Sequence, residues 1–184
     1  GFAPVFAVAK APRNDYLARH MQHTREQQGG HLLPQRDAMK SVPAAIRGGG
    51  SVMFMLDHRA RSKPVFAPFF GRPAACERSA GVLLRRVGAP IVFYTCTKSD
   101  GPRPFELTYG PVLMPEDLAR LDPEEIATRL NSVYEVLIRR RPEQYFWLHD
   151  RFRFIPRTWR DLEDYHARGW NYPFDGRHES GPTP

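Results

Sequence analysis

The chain has 184 residues, 41% of them hydrophobic, which predicts a single domain with a packed core. Its 27 Lys and Arg residues outnumber 20 Asp and Glu residues, so anionic partners are favoured: nucleic acid, anionic lipid or a phosphorylated substrate. No stretch approaches the roughly 20 apolar residues of a membrane span, no signal peptide is visible, and two cysteines make no disulfide framework.

The first hundred residues alternate between strand and helix patterns. Strands are predicted over 3–10, 31–35, 51–57 and 89–98, and 65–74 is predicted as a loop or broken strand. Helices are predicted from Asn14 to Gly29, from Asp37 to Gly48, and over 77–88. This alternation predicts an α/β fold, a mostly parallel sheet flanked by helices.

The second half holds the clearest helix of the chain, over 121–140. Asp122 is placed to cap it, with Pro123 at its first position and Glu125 three residues after the cap. A further strand is predicted over 103–110. The last stretch, 157–184, is polar and dotted with aromatic residues, and it is interpreted as an appended tail to a domain over 1–156.

Asp57 is the first candidate for chemistry, because ligands of parallel sheets bind beyond the carboxyl ends of the strands. The next residues, His58 and Arg59, add a titratable ring and a cation. Two interpretations stay open: Asp57 orients a functional cation or hydroxyl, or it pairs with a neighbouring arginine and caps a loop. Arg25 lies near the end of a predicted helix, and its simpler interpretation is a solvated residue on the protein surface.

Other chemistries find little support in the sequence. His20 and His23 can share a helix face, but no second His or Cys pair supports a metal site, and no metal is predicted. Cys76 has no evident partner base for a nucleophilic role. No P-loop, GxGxxG or GxSxG motif is present, and no cofactor is expected.

The most unusual stretch is RPEQYFWLHDRFR, residues 141–153. In one interpretation its aromatic residues pack on the sheet, Glu143, Gln144 and His149 satisfy buried backbone groups, and its arginines are solvated. In the other it forms a basic wall for an anionic head group; arginines mixed with aromatics also suit nucleic acid, although these aromatics are clustered at core-like spacing.

Three segments together resemble the lysophospholipid acyltransferase-like superfamily, and within it the lipid A biosynthesis (lauroyl/myristoyl) acyltransferases. They are, in order, GGSVMFMLDHRARSKPVFAPFFGRPAACERSAG (49–81), LLRRVGAPIVFYTCTKSDGPRPFELTYGPVL (83–113) and RPEQYFWLHDRFR (141–153). The third is the most specific. The resemblance covers about residues 3–156 and implies a glycerolipid acyltransferase-like fold.

The chain departs from the family at its catalytic motif, His-x4-Asp/Glu, because none of its histidines has Asp or Glu five positions later. In the family this motif lies upstream of the region matched by residues 3–10. The resemblance therefore implies either a fragment, with 1–156 the C-terminal portion of the domain, or an inactive member. Lys10 replaces a family arginine, and Leu56 and Phe93 each stand where the family has proline.

The resemblance implies transfer of a fatty acyl group from an acyl carrier protein or CoA thioester to a glycolipid hydroxyl. The family's motif histidine is the general base. Arg25 and Asp57 match positions in or beside the site and are expected to act there, Asp57 holding Arg25 or the acceptor. The substrate-binding residues are expected to be Lys10, His58, Arg59, His149, Arg151 and Arg153, the last three at the rim of a membrane-facing cleft.

The expected partners follow from the same resemblance: the acyl donor, a glycolipid acceptor and a membrane surface, with no nucleic acid. The expected location is the cytoplasmic face of the bacterial inner membrane. Two alternatives remain: a catalytically inactive partner with the acyltransferase fold, and a basic α/β domain that binds nucleic acid, supported only by the charge and the arginine–aromatic mixture.

Overall fold

The computed structural model describes residues 3–60, 63–152 and 167–168. The predicted tail, 157–184, therefore lies outside the described residues except for 167–168, as does Arg153. The boundary between domain and tail stays a prediction.

Three short parallel strands form the first sheet. These strands and their connecting helices are β1 (Val5–Ala9), α1 (Asp15–Gln27), β2 (Gly30–Pro34), α2 (Ala38–Arg47) and β3 (Ser51–Met53). β1 is central, with β2 and β3 parallel to it on either side. Parallel neighbours need crossover connections, which α1 and α2 supply. α1 begins as predicted, because Asn14 Oδ1 accepts the backbone N–H groups of Tyr16 and Leu17.

Two antiparallel strand pairs and three helices follow along the chain. These elements are β4 (Val65–Phe69), β5 (Arg72–Cys76), α3 (Arg78–Val87), β6 (Ile91–Lys98), β7 (Phe105–Leu113), α4 (Pro115–Leu118) and α5 (Pro123–Ile138). β4 pairs with β5 and β6 with β7. The β4–β5 turn places Phe70 at φ 50° and Gly71 at φ 72°. Phe70 is held in this left-handed conformation by its N–H, which donates to Glu135 Oε1 at 2.6 Å.

α5 is the element around which the core is built. One side of α5 packs on β6 and β7, and the residues buried there are Phe93, Leu113, Leu118, Ile126, Leu130, Val133 and Leu137. Its other side packs on the β4–β5 hairpin through Ala127 and Ile138, which meet Ala67, Phe69 and Cys76. α5 thus joins both antiparallel pairs into one packed unit.

The predicted fold class is confirmed in part. The chain mixes helices and strands around a small parallel sheet, which is compatible with an α/β class. The expectation of a mostly parallel sheet is wrong for β4 to β7, which are antiparallel. The stretch 65–74 forms a regular hairpin, and the strand predicted over 51–57 ends at Met53 because its pairing with β1 ends there.

Among the described residues, no helix combines the length and the apolar character needed to cross a lipid bilayer.

The N-terminal cap of α5 gives a test of its local stability. Asp122 Oδ1 accepts the N–H groups of Glu124 and Glu125 at 2.8 and 2.9 Å, and Glu125 returns a bond to the Asp122 N–H at 2.8 Å. Asp122→Ala should lower the free energy of unfolding by about 1 kcal/mol, measured by urea denaturation. Glu116→Ala, at another exposed carboxylate, is the matched control. A loss no larger than the control's would contradict the role of this cap.

Candidate functional site

The loop that follows β3, residues 54–60, carries three of the predicted site residues: Asp57, His58 and Arg59. We call it the Asp57 loop. It lies at the carboxyl end of β3, where ligands of parallel sheets bind. Asp57 and Arg59 are half-buried and His58 is exposed. The loop ends against β5, since the Ala60 N–H donates to the Ala75 carbonyl at 3.0 Å.

The stretch 141–152, which we call the bracing segment, fixes the backbone of the Asp57 loop at two points. The Tyr145 hydroxyl donates to the Asp57 carbonyl at 3.0 Å. The Arg59 N–H donates to His149 Nε2 at 2.8 Å. The rings of His58 and His149 lie 6.2 Å apart. Two segments about 90 residues apart in sequence therefore meet at the Asp57 loop.

The bracing segment is itself anchored by a buried arginine. Arg151 is 1% exposed, and its Nη2 donates to Asn131 Oδ1 at 3.1 Å and lies 3.6 Å from Cys76 Sγ. Its guanidinium carbon lies 4.2 Å from the centre of the Phe69 ring, a cation–π contact. Asn131 also donates to the Pro68 carbonyl at 2.9 Å. We call Arg151, Asn131, Cys76 and Phe69 the Arg151 cluster; it joins the bracing segment to α5, β4 and β5.

The Arg151 cluster leaves part of the guanidinium without a partner. Arg151 Nε and Nη1 are buried and make no hydrogen bond in the structure, and no carboxylate within the described ranges forms an ion pair with Arg151. A buried charge of this kind is costly to hold. The Phe69 ring and the Asn131 amide are its main compensation.

Burial also raises the pKa values of three acidic groups around Arg151, one thiol and two tyrosine hydroxyls. Burial raises the pKa of the Cys76 thiol above its ordinary 9.0, and the Arg151 charge partly opposes this. The pKa of the Tyr134 hydroxyl is raised above its ordinary 10.0, mainly by burial and then by the Asp57 carboxylate. Burial also raises the pKa of the Tyr145 hydroxyl, and the Arg151 charge again partly opposes this increase. The Asp57 carboxylate thus raises the pKa values of both Tyr134 and Tyr145, and the Arg151 charge lowers them.

The structure brings together four of the predicted site residues: Asp57, His58, Arg59 and His149. Arg151 adjoins them from inside the protein, so the prediction that it lies at the rim of a cleft is wrong. It is buried because Phe69 and Asn131 enclose its guanidinium. Whether these residues bind substrate stays a prediction.

Of the other three predicted residues, Arg153 lies outside the described residues, and Lys10 and Arg25 do not contact the Asp57 loop in any described hydrogen bond or ion pair. Lys10 is exposed and follows β1 at the same carboxyl edge of the sheet as the Asp57 loop. Arg25 lies in the last turn of α1, which leads into the amino end of β2 at Gly30. Because the strands are parallel, Arg25 and Asp57 lie at opposite edges of the sheet. The structure therefore gives no support to the expectation that Asp57 holds Arg25.

Sequence reasoning missed three residues that build the site. Asn131 is the polar residue in the otherwise apolar buried stripe of α5, and that position was a readable signal. Tyr145 was expected mainly to pack, yet its hydroxyl holds the Asp57 loop. Gln144 was not named as a site residue, but its side chain bonds both the N–H and the carbonyl of Lys98 on β6.

Cys76 and Cys96 are both free thiols, one buried and one exposed. Within the described ranges, no group of three or more His, Cys, Asp or Glu side chains is arranged to hold a metal ion.

Comparison with known proteins identifies the family. The model of the bacterial lipid A biosynthesis acyltransferases matches residues 2–154. This match spans both the Asp57 loop and the bracing segment. The chain belongs to the bacterial lipid A biosynthesis acyltransferase family.

Individual relatives agree with this assignment. The lipid A biosynthesis palmitoleoyltransferase of Escherichia coli (strain K12) is 27% identical over 155 residues, 83% of this chain and 49% of that protein. A lipid A biosynthesis acyltransferase of Shigella flexneri matches to the same extent. The lauroyltransferase of E. coli (strain K12) is 32% identical over 128 residues, 68% of this chain and 40% of that protein. The chain spans about half the length of the curated relatives that it matches.

The buried acids predict a loss of stability at alkaline pH. In the unfolded chain, Cys76, Tyr134 and Tyr145 ionise at their ordinary pKa values of 9.0 and 10.0, whereas the fold keeps them protonated to higher pH. Above about pH 9 the unfolded state therefore binds fewer protons than the native state, and the free energy of unfolding falls as pH rises.

Urea denaturation at a series of pH values measures this slope. Tyr134→Phe should make the slope shallower above about pH 10, because it removes one raised pKa, while Tyr109→Phe, at an exposed tyrosine, should not change it. A wild-type protein equally stable from neutral to strongly alkaline pH would contradict the burial of these acids, as would equal slopes in the two variants.

Proposed function

We propose that this protein is an acyltransferase that moves a fatty acyl chain from a thioester donor, an acyl carrier protein or CoA, to a hydroxyl of a lipid A-type glycolipid at the cytoplasmic face of the bacterial inner membrane. Membership of the family supports acyl transfer in lipid A biosynthesis. The observation that carries the proposal is that two of the segments resembling the family, although about 90 residues apart, meet in one site through Tyr145 and His149.

In this proposal the Asp57 loop binds the acceptor. The Asp57 carboxylate accepts a hydrogen bond from an acceptor hydroxyl. The loop backbone is held for this by Tyr145 at the Asp57 carbonyl and by His149 at the Arg59 N–H. Exposed His58 and the half-buried Arg59 supply donors for anionic groups of a glycolipid or of the acyl donor. Holding a hydroxyl in a reactive position removes part of the entropic barrier to acyl transfer.

The chain's own residues are assigned to binding and positioning. No histidine within residues 3–60 and 63–152 forms an ion pair with a carboxylate, so none of them is assigned as the general base. Lys10 and Arg153 keep the substrate-binding roles that the family resemblance implies, and Arg25 keeps its implied catalytic role of stabilising charge at the reacting carbonyl or acceptor; these proposals rest on that resemblance.

The proposal is tested by an acyl-transfer assay on the full gene product with a lipid A precursor and, in parallel, acyl carrier protein and CoA thioesters. Asp57→Asn should lower turnover about 100-fold, because a misplaced acceptor hydroxyl costs that much. Asp100→Asn, at an exposed carboxylate in the loop after β6, is the matched control and should leave turnover unchanged. Turnover of Asp57→Asn equal to that of the control would contradict the role of Asp57.

The same assay separates the alternatives. Wild-type protein that transfers no acyl group from either donor would support an inactive partner with the acyltransferase fold. Steeply salt-dependent binding of DNA or RNA without acyl transfer would favour the nucleic-acid hypothesis. Arg25→Ala tests the catalytic role predicted for Arg25. A loss of turnover as large as that of Asp57→Asn would support this role, and wild-type turnover would contradict it.

A further inference from the structure

The bracing segment has an outer side that the site does not use. Phe146, Trp147 and Leu148 are 67, 48 and 88% exposed, three consecutive large apolar side chains in water. We call them the apolar wedge. Isolated exposed apolar residues are common on protein surfaces, but three in a row are not required by the fold.

Trp147 anchors the apolar wedge to the protein. Its indole N–H donates to the Pro142 carbonyl at 2.7 Å, and its backbone N–H donates to the Tyr145 carbonyl at 2.8 Å. The indole ring also packs on Phe70 and Tyr145, at centroid distances of 5.7 and 4.9 Å. The central residue of the wedge is therefore held in place, which lowers the entropic cost of burying it in a partner.

Cations lie close to the apolar wedge and are paired with carboxylates. Arg139 lies over the Phe70 ring at 4.9 Å and pairs with Glu135, while Arg141 pairs with Asp100 and Glu143. Because Phe70 packs on Trp147, the Arg139 guanidinium lies beside the wedge. Guanidinium groups next to an exposed tryptophan suit phosphate head groups met one at a time.

We propose that the apolar wedge inserts into the interfacial layer of a phospholipid bilayer containing anionic lipid. Tryptophan and phenylalanine with flanking arginines are typical of this interfacial layer. There the rings lie between the head groups and the acyl chains, and the guanidinium groups contact phosphates. This inference rests on the proposed function and deepens it, because it names the surface through which the protein contacts the membrane. The same segment holds Asp57 on its inner side and contacts lipid on its outer side.

Site-directed fluorescence tests this proposal in the full gene product. In a Cys96→Ser background, an environment-sensitive label is attached at Leu148→Cys, and in a matched control at Tyr16→Cys, which is 79% exposed on α1. The probe is vesicles of phosphatidylcholine with roughly one third phosphatidylglycerol. The label at position 148 should shift to shorter wavelength on binding, and the label at position 16 should shift much less.

The outcomes separate the possible occupants and do not depend on acyl transfer. Equal shifts at the two positions, or no shift at position 148, would overturn the proposal. So would a shift at position 148 caused by a DNA or RNA oligonucleotide and absent with vesicles. Failure of the acyl-transfer assay with a shift at position 148 would reject the proposed function and leave the membrane contact standing.

Vesicle partitioning of the 184-residue chain gives a second measurement. Removing two exposed apolar side chains in Phe146→Ser/Leu148→Ser should weaken partitioning about tenfold, since both lose their burial in lipid. Tyr16→Ser/Leu17→Ser removes the same number of exposed apolar side chains from α1 and should weaken it little.

Discussion

The buried guanidinium of Arg151 is the interaction on which the rest of the site depends. A charge in the interior is unfavourable unless polar or aromatic groups surround it, and here Asn131, Cys76 and Phe69 do so. These three residues come from α5, β5 and β4, which the core already packs together. Arg151 therefore fixes where the chain returns after α5, and Tyr145 and His149 reach the Asp57 loop from that fixed path.

The bracing segment connects the chemistry of the site with its surroundings. Toward the protein, Tyr145 and His149 bond to backbone groups of the Asp57 loop, and Gln144 bonds to the backbone of β6, so their polar atoms serve to position other segments. Away from the protein, the next residues expose apolar side chains. This division explains why one short stretch holds polar-tipped, aromatic and basic residues together. The family match, which extends to residue 154, includes this stretch.

Local signals made much of the fold predictable, whereas long-range contacts did not. The cap of α5 was readable because Asp122, Pro123 and Glu125 act within four residues. The β4–β5 hairpin was missed because Pro68 and Pro73 weaken the strand pattern and because Phe70 takes a positive φ that Glu135, 65 residues away, supports. In the site, Asp57, His58, Arg59 and His149 were named from the sequence, but their pairing across 90 residues was not. Arginine is seldom fully buried, so nothing in the sequence indicated the interior position of Arg151.

The central claim is that the bracing segment holds the Asp57 loop in place, and exchange of the Arg59 amide hydrogen measures this most directly. That amide donates to His149 Nε2 at 2.8 Å, so it should be protected in the wild-type protein. His149→Ala should accelerate its exchange at least about tenfold, while Phe146→Ala, three residues away on the exposed side, should leave it unchanged. Unaltered protection of Arg59 in His149→Ala, with the fold intact, would contradict the account.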